Sequence, residues 1–415
     1  MEQLEFHKGN ESALMEKKEN KQLHKGSLYH CLDTKNTFFA ISENILDRYS
    51  SAVGWQSTSQ GEVFNDYENN HAEGQFSHAE GKNTRTAGIA SHAEGEYTEA
   101  SGQSSHAEGG ACQATGQYSH AEGCSNGNTK VTASGKGSHA EGWGTKASGN
   151  GSHSEGIGTT ASGIGSHAEG EVTLARAQYS HAEGGACQAL GEYSHAEGCS
   201  NGNTKVTAEG KGSHAEGWGT TASNNASHAE GIGATASGEG SHAEGCNDGN
   251  FYTTARGRGS HAEGMGTQAT GNGSHAEGKS TTASGVASHV EGNGSQTDGQ
   301  AAHAEGEATE AYGNGAHAEG KNTVAGTADQ SKIGAHAEGL ESQALNSSAH
   351  AEGYKTRATG DASHSEGNST IAHGSGAHAE GFESMAGAKK ILNEDKVNFT
   401  ISYNPSSNGA HAEGI

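Results

Sequence analysis

The tetrapeptide His-x-Glu-Gly occurs 23 times between His71 and His411, and the positions of most successive copies differ by 14. From His78 onward the other steps are 19, except for a final step of 33. A fixed period of this length is typical of a solenoid, in which each repeat is one turn that buries its inner face by stacking on its neighbours. The spacing therefore predicts a fold of stacked turns.

The composition leaves no room for an ordinary apolar core. Only 30% of the 415 residues are hydrophobic and 5% are aromatic, while 67 are glycine. Such a composition usually indicates disorder, but the strict period indicates an ordered structure built from one repeated unit. No apolar run approaches the roughly 18 residues of a membrane span, and the N-terminus lacks an apolar secretory segment. We therefore expect no membrane insertion and no cleaved export signal.

The net charge and the cysteine spacing argue against three classes of protein: nucleic-acid binders, disulfide-bonded domains and zinc ribbons. The formal net charge is −25, and because phosphate binding needs clustered Lys and Arg, nucleic acid is not an expected partner. Five of the six cysteines recur at equivalent places of the repeat. This spacing is neither that of a disulfide framework nor that of a zinc ribbon.

One full period, residues 91–104, contains two short alternating segments, 91–95 and 98–102, joined by two-residue links. Successive side chains of a strand point to opposite faces, so one face of each segment carries only very small residues. The predicted inward residues are Ser91, Ala93, Gly95, Thr98, Ala100 and Gly102. Two closely packed sheets fit such faces. The prediction is an all-β parallel β-roll in which each 14-residue period forms one turn.

The motif spacing also predicts the organisation of the chain. Residues 1–66 would form an N-terminal attachment region, residues 67–384 the β-roll shaft, and residues 385–415 a long excursion and a final turn. His71 precedes His78 by half a turn, so its motif should fall on the opposite strand. The extra residues should form hairpin-like excursions from one corner of the roll, and these are candidates for recognition. They are residues 124–132, 199–207, 246–256, 321–333 and 385–408.

The outward positions of the first strand are His and Glu in every turn, whereas those of the second strand vary among charged and polar residues. A solvated face does not need such uniformity, but an interface between parallel copies of one chain does. We therefore expect a homotrimeric rod with 22 His–Glu pairs, without His71, at its interface. The residues chosen to represent that interface are His78, Glu80, His120, Glu122, His167, Glu169, His275, Glu277, Trp143 and Trp218.

The pattern Ser-x-Ala-x-Gly followed by Thr-x-Ala-x-Gly over residues 75–384 resembles the left-handed parallel β-roll of trimeric autotransporter adhesin heads. That resemblance implies a left-handed roll and a trimer. In that family the two outward positions of the first strand are typically Val and Ile, and here they are His and Glu. The His-Ala-Glu-Gly arrays also resemble the shafts of phage and prophage tail fibres that carry a self-cleaving C-terminal chaperone. Residues 22–42, read as strand, turn and strand, are similar to short hairpins near the start of phage tail proteins.

Two kinds of chemistry are expected of the His and Glu residues. The first is intersubunit ion pairing with the His pKa raised by the adjacent carboxylate; protonating 22 histidines would bring the formal net charge from −25 to −3. The second is a transition metal at the trimer axis, with no cofactor required. We expect one chain alone to be a poor chelator, because His and Glu two residues apart have Cβ atoms about 6–7 Å apart. The candidate metal ligands are His92, Glu94, His106, Glu108, His153, Glu155, His228 and Glu230.

Three other patterns receive a structural interpretation. Ser-His-x-Glu resembles part of a catalytic triad, but adjacent strand residues face opposite sides, so we expect no enzyme. Residues 273–280, GSHAEGKS, match a phosphate-loop pattern outside its strand-loop-helix context. An apolar column directly after the motif is expected either to pack at a corner against a neighbouring subunit or to form an exposed ligand-binding stripe. It comprises Cys124, Trp143, Ile157, Cys199, Trp218, Ile232, Cys246 and Met265.

Together these features predict a structural trimeric fibre of a phage or phage-tail-like particle, located in the virion and extracellular after release. The N-terminal region would bind phage or tail baseplate proteins, and the shaft would present a contact surface to a bacterial receptor. A bacterial surface adhesin is the first alternative, and a metal-binding repeat protein is the second.

Overall fold

The computed structural model describes residues 70–414 except 126, 128, 201–203, 250, 393–398 and 404–407. Before residue 70 it describes residue 14 and the backbones of five strands. The chain divides into two compact units, residues 1–189 (unit 1) and residues 190–415 (unit 2). Each unit is described by itself.

Unit 1 begins with a five-stranded sheet in the order β1-β2-β3-β4-β5. Its strands are β1 (Phe6–Gly9), β2 (Leu28–Cys31), β3 (Thr37–Ser42), β4 (Ile45–Ser50) and β5 (Gly54–Ser57). β2 pairs with β3 in antiparallel orientation, which confirms the two strands predicted within residues 22–42. The turn itself, residues 33–36, and the predicted boundary at residue 66 lie outside the described residues.

The rest of unit 1 is a solenoid in which long strands starting at a motif His alternate with two-residue strands. Its strands are β6 (His71–Ala72), β7 (His78–Lys82), β8 (Arg85–Thr86), β9 (His92–Glu96), β10 (Glu99–Ala100), β11 (His106–Gly110), β12 (Gln113–Ala114), β13 (His120–Cys124), β14 (Thr132–Ala133), β15 (His139–Trp143), β16 (Lys146–Ala147), β17 (His153–Ile157), β18 (Thr160–Ala161), β19 (His167–Glu171), β20 (Leu174–Ala175), β21 (His181–Gly185) and β22 (Gln188–Ala189).

Unit 2 repeats the same alternation. Its strands are β23 (His195–Cys199), β24 (Thr207–Ala208), β25 (His214–Trp218), β26 (Thr221–Ala222), β27 (His228–Ile232), β28 (Thr235–Ala236), β29 (His242–Cys246), β30 (Thr254–Ala255), β31 (His261–Met265), β32 (Gln268–Ala269), β33 (His275–Lys279), β34 (Thr282–Ala283), β35 (His289–Asn293), β36 (Gln296–Thr297), β37 (His303–Glu307), β38 (Glu310–Ala311), β39 (His317–Lys321), β40 (Val324–Ala325), β41 (His336–Leu340), β42 (Gln343–Ala344), β43 (His350–Tyr354), β44 (Arg357–Ala358), β45 (His364–Asn368), β46 (Ile371–Ala372), β47 (His378–Glu380), β48 (Met385–Ala386), β49 (Ala388–Leu392), β50 (Phe399–Tyr403) and β51 (His411–Glu413).

Within the solenoid part of each unit, the motif strands and the two-residue strands pair in parallel and in register, so that each paired residue stacks on its equivalent in the next turn. The long strands form the motif sheet, in which His92 pairs with His106, and the two-residue strands form the short-strand sheet, in which Glu99 pairs with Gln113. The 19-residue steps preserve this register, since His120 pairs with His139. The predicted all-β parallel solenoid with a 14-residue turn is thereby confirmed. Its handedness and its trimeric state stay predictions.

His71 lies where half a turn places it. β6 pairs with β8 in the short-strand sheet, with His71 opposite Arg85, whereas β7 begins the motif sheet. The prediction that this first motif falls on the opposite strand is confirmed.

Very small residues fill the interior between the two sheets. In the turn that begins at His92, Ala93, Thr98, Ala100 and the following Ser105 are at most 2% exposed. The Ser105 hydroxyl donates a hydrogen bond to the Gly102 carbonyl at 2.7 Å, so the serine satisfies its own polar group inside the roll. The predicted inward faces are thus confirmed at five of the six positions.

Gly95 is the exception, because it lies exposed rather than inside. Its φ is +106°, a left-handed backbone conformation that residues with a side chain rarely adopt, and the glycine lies near the end of strand β9. A Cβ atom at this position would lie 2.1 Å from the Gly109 carbonyl oxygen of the next turn. The motif glycine is therefore required by the corner and its close stacking, not by the interior.

The excursions leave from two corners, whereas the sequence predicted one. Residues 125–131, 200–206 and 247–253 connect a motif strand to the following short strand, as expected. The Ser125 hydroxyl donates to the Thr129 carbonyl at 3.3 Å, which closes the first of these loops. In contrast, residues 326–335 and 387–410 follow short strands β40 and β48 and leave from the other corner. The last of these contains an antiparallel hairpin, β49 with β50.

Candidate functional site

The outward face of the motif sheet carries two columns of identical residues. The His column comprises His78, His92, His106, His120, His139, His153, His167 and His181 in unit 1, and His195, His214, His228, His242, His261, His275, His289, His303, His317, His336, His350, His364, His378 and His411 in unit 2. The Glu column comprises the glutamates two residues after each of these. The period-2 alternation of the strand puts both columns opposite the buried Ala, and the in-register ladder aligns them.

The imidazole rings of the His column are stacked at the strand spacing. Between His106 and His120 the ring centroids are 4.8 Å apart with planes 16° apart, and between His153 and His167 they are 4.8 Å and 2°. Ring orientation changes at one end of unit 1, where the His78 and His92 planes meet at 84° with centroids 5.1 Å apart. The backbone register is unchanged there, so the imidazoles can rotate without disturbing the ladder.

Most column histidines of the described turns lie within 4.0 Å of the Glu of their own turn, although no such contact is formed by His275 and Glu277. The Nε2–Oε2 distance is 3.1 Å from His78 to Glu80 and 3.4 Å from His120 to Glu122. The same distance was measured for the other pairs that were named from the sequence. It is 3.8 Å for His92–Glu94, 3.6 Å for His106–Glu108, 3.6 Å for His153–Glu155, 3.9 Å for His167–Glu169 and 4.0 Å for His228–Glu230. Sequence reasoning looked for the partner of each His in another subunit and missed this one. The signal was available, because side chains at i and i+2 share a strand face.

The imidazole pKa is lowered at ten positions of the His column in the single chain. Burial is the largest cause, and the positive charge of neighbouring imidazoles, which lie 4.6 to 5.1 Å away, lowers the pKa further. The carboxylates raise the pKa but do not outweigh these two effects. The expected rise concerned pairs between subunits and stays a prediction. The ten positions are His92, His120, His139, His167, His214, His242, His275, His303, His336 and His364.

Within one chain, the columns bring three ligand atoms together at many turns. One ring nitrogen of His106, a carboxylate oxygen of Glu108 and one ring nitrogen of His120 all lie within 4.8 Å of one another, and His153, Glu155 and His167 repeat the arrangement. The expectation that a single chain is a poor chelator stays a prediction. It considered only one strand, whereas the parallel register supplies the third ligand from the next strand. The position of a trimer axis does not follow from a single chain, so a metal site at that axis stays a prediction.

The apolar column lies on the surface of the chain, directly after the Glu column. Trp143 and Trp218 are 47% and 48% exposed, and Ile157 and Ile232 are similarly exposed. The Trp143 indole Nε1 donates to the Ser125 carbonyl at 2.7 Å, which fixes the ring against the first excursion. Both expected roles of this column, subunit contact and ligand stripe, stay predictions.

The remaining motifs are structural elements of the solenoid. The Ser91 hydroxyl points inward and donates to the Gly88 carbonyl at 2.7 Å, while His92 faces outward, as the alternation predicts. Residues 273–280 form strand β33 and its flanking turns, not a loop before a helix. Ser280 ends this segment and donates to the Asp248 carboxylate at 2.6 Å. Cys112 lies buried inside the roll, where burial raises its thiol pKa to about 12.

No protein-family model matches this chain, and no curated protein is significantly similar to it in sequence. Within residues 70–414 and the N-terminal segments that the structure describes, no helix is long and apolar enough to cross a membrane.

Proposed function

We propose that this chain is the shaft of a homotrimeric fibre belonging to a phage or phage-tail-like particle. Three copies lie parallel, with their His and Glu columns facing one another. Residues 1–66 attach the fibre to tail or baseplate proteins, and the excursions contact a bacterial surface receptor. The fibre acts in the virion or tail particle and is extracellular after release.

The contrast between the two outward faces of the solenoid carries this proposal. The two sheets are built from the same turns of the solenoid, yet the motif sheet presents His and Glu at all 22 of its described turns. The short-strand sheet presents Glu99, Gln113, Thr132 and Lys146 in four successive turns. The fold itself thus accepts many residues at an outward position. A face that repeats without change is suited to a partner that repeats with the same period, and another copy of the chain has that period.

The apolar column supports the same arrangement. It borders the Glu column, where Trp143 pairs with Ile157 in unit 1 and Trp218 pairs with Ile232 in unit 2, and all four side chains are half-exposed. Soluble monomers seldom leave a contiguous apolar stripe in water. In the proposed trimer a neighbouring copy covers it.

The assignment to a phage particle rests on the resemblance of the motif arrays and of the N-terminal hairpin to tail-fibre proteins. A bacterial surface adhesin is the alternative, since its heads share the repeat pattern. Mass spectrometry of purified particles and of surface-labelled cells distinguishes the two. The chain in the particle fraction supports the fibre, whereas labelling on cells that release no particles supports the adhesin.

Lysine substitutions on the two faces of the same three turns test the trimer. The first variant carries Glu291→Lys, Glu305→Lys and Glu319→Lys in the Glu column. The matched control carries Gln296→Lys, Glu310→Lys and Val324→Lys in the short-strand sheet, on the same turns. We expect the first variant to lower the trimer content in sedimentation velocity and the control to keep it. Equal behaviour of the two variants would contradict the proposed interface.

A further inference from the structure

We propose that a single chain binds divalent transition cations of the zinc, nickel and copper class in a ladder along the His and Glu columns. Each ion is held by the imidazoles of two successive turns and the carboxylate between them. All ligands come from one chain, so the inference goes beyond the proposed fibre and does not depend on the trimer.

The distances of the site require only a small closure. In the turn of His106 the Nε2 atom lies 3.6 Å from the Glu108 Oε2, and the ring of His120 follows at 4.8 Å. Two ligand atoms on a tetrahedral zinc ion lie about 3.4 Å apart, given metal–ligand distances of about 2.0–2.1 Å. Bringing the two imidazoles to that separation therefore needs an approach of roughly 1.4 Å, which side-chain rotation supplies.

Ring orientation must also change, because stacked imidazoles direct their lone pairs in parallel. His78 and His92 already combine the common backbone register with ring planes 84° apart. The ladder therefore permits neighbouring imidazoles to turn toward a shared ion. Glu80 lies with these two rings in a group of the same composition.

Several Nε2 atoms of the column lack a hydrogen-bond partner. At His106, His120 and His153 this nitrogen is shielded from solvent and makes no hydrogen bond. A shielded polar atom without a partner is uncommon and costs free energy. An ion coordinated at Nε2 would satisfy it.

The donor set selects the class of ion. Imidazole nitrogen combined with a carboxylate oxygen suits zinc and the later first-row transition ions. Magnesium and calcium prefer shells of oxygen alone. Magnesium is therefore a suitable negative control.

Shared ligands set the stoichiometry. His120 belongs to the group with His106 and also to the group with His139, and its one Nε2 can bind only one ion. At saturation the ladder therefore holds one ion for every two turns, and the two positive charges of each ion balance the two carboxylates of those turns. With eight described motif strands in unit 1 and fourteen in unit 2, this gives up to four and seven ions. If three chains instead shared each ion at the trimer axis, the whole trimer would hold one ion for every turn.

Two histidine variants of unit 1 distinguish these arrangements. The alternate variant replaces every second residue of the column and leaves each remaining imidazole without a neighbour. Its substitutions are His92→Gln, His120→Gln, His153→Gln and His181→Gln. The block variant replaces four consecutive residues and leaves four consecutive ones. Its substitutions are His78→Gln, His92→Gln, His106→Gln and His120→Gln.

The full-length proteins are stripped with chelator, dialysed against ZnCl2 or MgCl2 and assayed for bound metal by elemental analysis. We expect the alternate variant to bind four fewer zinc ions per chain than the wild type and the block variant two fewer, with no magnesium retained. Circular dichroism melting of both variants checks folding, and light scattering of the same samples reports the number of chains per particle. Equal zinc losses in the two variants, or no zinc retained by the wild type, would overturn the ladder. Neither result bears on the trimer, which the scattering measures separately.

Discussion

The interior and the motif face of the solenoid are equally repetitive, but for different reasons. Inside, Ala107 and Ser105 are almost completely buried between sheets that approach closely, so only small side chains fit. Outside, His106 is half-buried and its size is not limited by the chain itself. Repetition inside the roll is explained by the fold. Repetition on the motif face needs a cause outside the single solenoid, and a second copy or a bound ion are the two causes proposed.

The largest expected effect separates the residues that the fold requires from those it tolerates. Gly109 has φ of +101°, and a Cβ there would lie 2.1 Å from the Gly123 carbonyl oxygen, whereas a Cβ at Gly110 would meet only Cys124 Cβ at 3.5 Å. We expect Gly109→Ala to lower the free energy of unfolding by about 3 kcal/mol or more. Gly110→Ala should change it by less than about 0.5 kcal/mol. Urea denaturation followed by circular dichroism measures both, and similar values for the two would show that the motif glycine is not needed by the corner.

A second substitution tests whether the apolar column belongs to the subunit interface. Trp143→Ser combined with Trp218→Ser should weaken self-association, by about 2 kcal/mol for each indole that a neighbour covers. The control pair, Tyr97→Ser and Tyr118→Ser, removes side chains that are 56% and 54% exposed outside this column. Sedimentation equilibrium over a range of concentrations gives the association constants. Loss of receptor binding with an unchanged association constant would instead assign the column to a ligand.

A smaller effect is expected on acidification of chelator-treated protein. Because ten of the column histidines have pKa values lowered in the folded single chain, the unfolded chain binds more protons once the pH falls below the usual His pKa of about 6.5. The stability contributed by these neutral imidazoles is complete above that pH and is lost as the pH falls through the lowered folded values. The melting temperature should therefore decrease from pH 7.5 to pH 5. An increase over this range would indicate raised pKa values and intersubunit ion pairs.

The smallest effect is expected on the short-strand face. Thr160 is outward and half-buried, and its neighbours in the ladder are Lys146 and Leu174. Thr160→Gln should change the free energy of unfolding by less than about 0.5 kcal/mol and leave self-association unchanged. A marked decrease in the free energy of unfolding, measured by denaturation, or in self-association, measured by sedimentation, would show that this face is also an interface.

Much of the fold was predictable because period and register are consequences of spacing. The 14-residue step places His92 on His106, and the seven-residue offset places His71 in the other sheet. The turn at Gly95 was not predictable from alternation, since a strand pattern carries no information on where φ becomes positive. The position of residues 326–335 was missed for a similar reason. Motif spacing counts the added residues but does not say which corner holds them.

The candidate site was predicted in composition but not in its interactions. His and Glu columns follow from the repeat, whereas the Nε2–Oε2 contact of His120 with Glu122 depends on side-chain reach. The expected rise in the His pKa considered only the carboxylate of another subunit, whereas in the single chain burial and the imidazoles above and below lower the pKa at ten positions. The stacking distance of 4.8 Å between His120 and His139 makes those imidazoles close neighbours.

The mass of the purified full-length chain in solution tests the central claim most directly, because the motif face is assigned to contact between copies. Native mass spectrometry or light scattering should give three times the chain mass of 42.1 kDa across the micromolar range. A stable particle of one chain mass, with both columns in water, would contradict the proposed fibre.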